Sequence, residues 1–140
     1  LSDPYYQQPP PKSAGREQFG GEFVSGLIAT GVPVENLMAT ACEATARTIV
    51  LGIRRWVPFR AAELIPAGGG IHNRHLMRRL GDLLPEVRIR PIADFGIDAD
   101  AKEAIAFAVL AHESYRGRPA NIPSATGARR ATPLGKITRA

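Results

Sequence analysis

Residues 62–77 read AELIPAGGGIHNRHLM. A short apolar run meets three consecutive glycines, then His72 and Asn73, and then a pattern with Leu76, Met77, Leu80 and Leu84 on one helical face. One glycine suffices for a turn, so the triplet asks for a further reason. A strand that runs into glycines and then into a helix start gives an edge where backbone can approach a ligand closely. The first N–H groups of such a helix point outward, and its dipole favours an anion. In α/β sheets, ligands gather at the carboxyl ends of strands, where Gly68 falls. The competing reading is that the glycines only permit tight strand–helix packing. No Gly-Lys-Ser/Thr follows the triplet, so this is not a Walker A loop.

The flanking sequence supplies the elements. Val34 to Trp56 has a helical apolar pattern in Met38, Ala41, Cys42, Thr45, Ile49, Ile53 and Trp56. Pro33 suits its start, and Pro58 stops it. Ala62 to Ala67 predicts a short strand, marred by Pro66. A helix from His72 or Asn73 to about Leu84 ends at Pro85. Val87 to Ile92 alternates as a second strand, demoted at Pro91. Asp100 to about Tyr115 predicts another helix, ended by Gly117. Its AIAFAVLA is apolar on nearly every side, which predicts deep burial. Asp100 and Glu103 have the spacing of a capping box. Helix, strand, helix, strand, helix is an α/β order with helices packed on a sheet.

The termini read differently. In PYYQQPPPKSAG (4–15), Pro9, Pro10 and Pro11 remove donors and fix φ, which predicts an extended, polyproline-like opening over residues 1–20. Residues 16–30 are ambiguous because Gly20, Gly21 and Gly26 interrupt their apolar pattern. Residues 33–116 form the expected α/β core. Residues 117–140 read as loop, with a last strand over Leu134 to Thr138.

Composition bounds the function classes. The 140 residues are 44% hydrophobic and 22% charged, an ordinary globular balance. No run approaches the roughly 20 apolar residues of a membrane span, and no signal-peptide pattern is visible. The single Cys42 excludes an internal disulfide and fits a reducing, cytoplasmic setting. The net charge of +5 is spread along the chain without a nucleic-acid-binding motif, so no nucleic-acid partner is expected. The chain opens on Leu1 rather than Met, which suggests a fragment or a processed product.

Four segments in order carry a resemblance: DPYYQQPPPKSAGREQF (3–19), GGGIHN (68–73), GIDADAKEAIAFAVLA (96–111) and RGRPANIPSATGAR (116–129). Together they resemble anhydro-N-acetylmuramic acid kinase, of the actin–hexokinase–sugar-kinase superfamily, over essentially the whole chain. The resemblance implies a ribonuclease-H-like, actin-like ATPase lobe with helices on a mixed sheet. This lobe would be the C-terminal part of a two-lobed sugar kinase. The implied activity opens the 1,6-anhydro ring of 1,6-anhydro-N-acetylmuramic acid with water and phosphorylates O6, with ATP and Mg2+. The family's general-base Asp, in an Asp-Thr-Gly-Pro pattern, has no counterpart here, so no catalytic residue is assigned and the chain alone is expected to lack turnover. An inactive actin-like nucleotide-binding module, another sugar kinase and a purely structural lobe are the rival readings. The nucleotide-binding candidates are Gly68, Gly69, Gly70 and Asn73, where Asn73 is either a plain helix cap or a cap that also meets the nucleotide. The resemblance places Glu103 near the sugar, against its plain reading as a helix-start carboxylate. His72 and Cys42 read as structural. Lys12, Ser13, Arg16 and Glu17 either wall the cleft or order the opening segment. Where the family commonly has Thr-Asp, this chain has Ile92 and Ala93, which puts a polar contact there in doubt. A homodimer is left open.

Overall fold

The computed structural model describes residues 3–138. Its centre is a strand–helix–strand unit. Strand β1 (Glu63–Leu64) leads through the glycine corner into helix α4 (Arg74–Leu83), which returns to strand β2 (Arg88–Ile89). The strands pair in parallel, Glu63 with Arg88 and Leu64 with Ile89. The amide N–H of Arg88 donates to Ala62 O at 2.9 Å, and that of Arg90 donates to Leu64 O at 3.0 Å. Both strands are shorter than the alternation predicts, and the sheet is a parallel pair rather than a mixed one among the described residues. The prolines at 66 and 91 explain the truncation, since neither can donate to a ladder.

Helix α3 (Val34–Trp56) packs across α4 and has the predicted bounds. Its buried residues are Ala46 and Val50, which join Leu80, Leu84 and Val87 in the core. Ile49, Ile53, Leu64, Leu76, Met77 and Ile89 pack around that cluster. The predicted stripe is therefore only partly right, because Met38 at its start is 69% exposed. A polar clasp reinforces the α3–α4 contact. Arg79 Nε donates to Glu43 Oε2 at 2.7 Å, and Arg79 Nη2 donates to Glu43 Oε1 at 3.0 Å. Arg47 adds a third bond to the same carboxylate at 2.6 Å. Hydrogen bonds from Arg79, then from Arg47, lower the Glu43 carboxyl from 4.5 to about 2. At the other end of the pair, Arg54 Nη2 donates to Leu83 O at 2.7 Å, covering a carbonyl that the end of α4 leaves open.

Three expectations are corrected. The opening segment is not wholly extended: Pro4–Gln7 forms a 3-10 turn and Arg16–Phe19 a short helix, α1. Asp3 caps the turn by accepting from Tyr5 N at 2.8 Å, and a proline in a first helical turn is no obstacle. Residues 16–30 then resolve into α1 and α2 (Gly21–Ile28), whose Phe23 meets Phe19 edge-on at 5.6 Å. Lys12 orders this opening, because its Nζ donates to Tyr5 O at 2.9 Å. The second correction concerns helix α5 (Lys102–Tyr115), where Ile105, Phe107 and Val109 are exposed, Phe107 by 69%. A helix apolar all round needs cover on every side. Residues 134–137 of the tail border one side of α5, at Phe107, Leu110, Ala111 and Ser114. Third, Leu134 to Thr138 pairs with no strand among the described residues. Instead Ser114 Oγ donates to Leu134 O. A four-residue helix, α6 (Pro123–Thr126), lies just before this tail.

Candidate functional site

The three glycines do three different things. Gly68 has φ +81°, a left-handed conformation that side chains rarely adopt, so glycine is required there by the backbone alone. Gly70 has an ordinary φ, and a Cβ built on it would lie 3.9 Å from Leu76 Cδ2, an ordinary contact. Gly69 is the informative one. It is exposed, its φ is not in the positive region, and a Cβ there would meet nothing within 4 Å. A Cβ at Gly69 would therefore find open space among the described residues.

Gly69–His72 forms a 3-10 turn, closed by Ile71 N donating to Gly68 O at 3.2 Å. Asn73 follows as the N-cap of α4, its Oδ1 accepting from Leu76 N at 3.0 Å. Capping of this kind satisfies one of the open N–H groups of a helix start. The cap accounts for the amide oxygen of Asn73 and leaves its Nδ2 without a partner among the described residues.

Beside the corner lies an apolar cavity of about 250 Å³, lined by Pro66, Ile71, Met77, Ile89 and Pro91. These residues come from the carboxyl ends of both strands, from the glycine turn and from α4. A larger hollow of about 370 Å³ lies elsewhere, between the opening aromatics Tyr5, Tyr6 and Phe19 and the α3 residues Ile49 and Trp56.

The loop before α5 meets the corner. Gly68 N donates to Ala99 O at 3.2 Å, and His72 Nε2 lies 3.3 Å from Asp100 Oδ1. An ionised Asp100 only accepts, so His72 Nε2 carries the proton of that bond. His72 is thus tied to a segment 28 residues away. The expected capping box of Asp100 and Glu103 is not formed. Asp98 performs the local capping instead, its Oδ1 accepting from Asp100 N at 2.8 Å and Ala101 N at 3.2 Å. Asp98 is the functional-looking residue that the sequence reading passed over. Its signal was present in Asp98-Ala99-Asp100, since Asp readily hydrogen-bonds backbone two residues on. Glu103 stands exposed in the first turn of α5. The structure thus gathers Gly68, Gly69, Gly70, His72 and Asn73 at one corner, with Glu103 just beyond the loop that touches it.

A parallel strand–helix–strand unit with helices packed around it defines a helix-rich α/β protein. The chain belongs to the anhydro-N-acetylmuramic acid kinase family, whose model matches residues 1–140. It is 43% identical to the anhydro-N-acetylmuramic acid kinase of a Cyanothece strain, over 98% of this chain and 37% of the relative. The kinase of Salinibacter ruber is 42% identical over 99% of this chain and 36% of its own length. That of Bacillus cereus is 42% identical over 99% and 38%. The chain thus spans a little over a third of the length of these relatives. Among the described residues, no helix is long and apolar enough to cross a membrane.

Proposed function

We infer that the glycine corner is the nucleotide-contacting surface of an ATP-dependent anhydro-N-acetylmuramic acid kinase. The observation that carries this reading is the place of Gly69: exposed, bare main chain just past the carboxyl end of β1 and before the start of α4. A ribose or base resting on that main chain accounts for the missing side chain. The apolar cavity beside it and the Nδ2 of Asn73, unpartnered among the described residues, supply the usual mixture of apolar wall and few polar contacts.

In this reading the chain contributes an actin-like lobe that binds and orients. Gly68 fixes the turn, Gly69 and Gly70 offer main chain, and Asn73 caps α4 while donating to the ligand. Glu103 accepts hydrogen bonds from hydroxyls of 1,6-anhydro-N-acetylmuramic acid. ATP supplies the phosphoryl group that reaches O6 as water opens the anhydro ring. No group of three or more His, Cys, Asp or Glu side chains among the described residues fits a metal. A magnesium ion would be held largely by the nucleotide's own phosphates, as is usual for this ion. The general base that takes the proton from water is not assigned to any residue of this chain.

The test is a calorimetric titration with ADP, using Gly69→Val. A Cβ at Gly69 meets no protein atom, so the variant is expected to keep its melting temperature and to lose nucleotide binding. Unchanged binding in a folded Gly69→Val chain would contradict the reading.

A further inference from the structure

The loop between β2 and α5 is fastened at both ends. At its start, Arg90 lies over the Phe95 ring at 4.6 Å, and its Nε donates to Asp94 Oδ2 at 3.3 Å. Gly96 then turns the chain with φ +75°. At its end, Asp98 accepts from the amides of Asp100 and Ala101, closing a compact turn immediately before α5. Two ties join that turn to the glycine corner: Gly68 N to Ala99 O at 3.2 Å, and His72 to Asp100 at 3.3 Å. They grip the corner at its first glycine and at the last residue of its 3-10 turn. A shift of the corner is therefore passed to the turn, and from there to the first helical residues, Lys102 and Glu103.

From this geometry we propose that His72 and Asp100 are positioning residues that register the first turn of α5, and with it the Glu103 carboxylate, against the glycine corner. The proposal rests on the nucleotide reading of that corner and goes beyond it by assigning a role to two residues that need not touch either ligand. His72 and Asp100 side chains are 63% and 68% exposed, so their bond adds little to stability. What it does is fix a distance between two segments that would otherwise be joined through one backbone hydrogen bond. Asp98 covers the amides of Asp100 and Ala101 in the turn before α5, and neither it nor Glu103 caps the helix start itself.

The experiment adds ADP to the isotopically labelled chain and follows the amide resonances of Gly68–Asn73 and of Lys102–Ala104. It is repeated with His72→Ala and with Asp100→Ala, two exposed substitutions on opposite sides of the tie. In the unsubstituted chain both sets of resonances are expected to move together with one dissociation constant. In each variant ADP is expected to bind within about fivefold, as loss of an exposed pair allows. The corner resonances should still move, and the response at Lys102–Ala104 should be clearly reduced, with only the Gly68–Ala99 bond left to pass it on. A response of unchanged size at Lys102–Ala104 in both variants overturns the proposal. So does a much larger loss of affinity, which would make these side chains direct ligand contacts. If the unsubstituted chain does not bind ADP, the nucleotide reading fails and takes this proposal with it. Binding with an untouched α5 response removes only the proposal.

Discussion

Asn73 has two separable duties, and substitution can divide them. Its Oδ1 accepts from Leu76 N at 3.0 Å, and its Nδ2 has no partner among the described residues. Asn73→Ala removes the cap and should cost about 1 kcal/mol of stability, within a range of about 0.5–2. For a chain of this length that is a fall of roughly 3–4 °C in melting temperature. Asn73→Ser keeps an oxygen that can cap but has no amide donor. Its stability is expected to stay within about 0.5 kcal/mol of the parent, since serine and asparagine cap about equally well. If Nδ2 meets the nucleotide, the serine variant should still lose one neutral hydrogen bond. That bond is worth about 0.5–1.5 kcal/mol, or a roughly twofold to thirteenfold weaker ADP dissociation constant. Thermal melts followed by helical circular dichroism read the first quantity, and calorimetry reads the second. An Asn73→Ser chain that binds ADP as tightly as the parent would show that Asn73 caps and does nothing more. An Asn73→Ala chain with an unchanged melting temperature would refute the capping argument itself.

Other outcomes follow from the same contacts. Leu84 is 1% exposed in a core with four other buried side chains, so Leu84→Ala should cost about 2–5 kcal/mol in urea unfolding. A loss below about 1 kcal/mol would place the core elsewhere. Gly68→Ala must hold an alanine at φ +81° and should lose about 1–2 kcal/mol, whereas Gly69→Ala, at an ordinary φ and in open space, should lose nothing. The Glu43 carboxyl is held at about 2 in the fold against 4.5 when unfolded. Its clasp therefore adds stability that is fully present above about pH 4.5 and is lost as pH falls towards 2. Urea midpoints across that window should fall more steeply for the parent than for Glu43→Gln, and parallel curves would count against the clasp. The 140-residue chain is expected to release no ADP from ATP and the anhydro sugar in a coupled assay, and clear turnover would contradict the assignment of the general base outside it.

The parts of this fold that could be read from sequence were those dictated by local chemistry. Helix α3 was bounded by Pro33 and Pro58, and α4 by Asn73 and Pro85, because prolines and caps act over a few residues. Strand identity was readable, but strand extent was not. Pro66 and Pro91 are visible in the sequence, while a ladder also depends on a partner that sequence does not name. The misreading of Pro4–Gln7 came from generalising the three later prolines back over a segment whose own Asp3 is a capping residue. Periodicity correctly made α5 a helix and incorrectly made it core, since an apolar surface states a need for cover without saying where the cover comes from. At the site, the bare backbone of Gly69 was visible as a glycine, but only the structure distinguishes it from Gly68, which its backbone angle alone requires. The tie between His72 and Asp100 crosses 28 residues and lay beyond any local pattern.

A structure of the chain bound to a non-hydrolysable ATP analogue measures the central claim most directly. The ribose or base of the analogue is expected within van der Waals contact of the Gly69 main chain, with Asn73 Nδ2 turned towards it. An analogue bound away from Gly68–Asn73, for example among Tyr5, Tyr6 and Trp56, would contradict it.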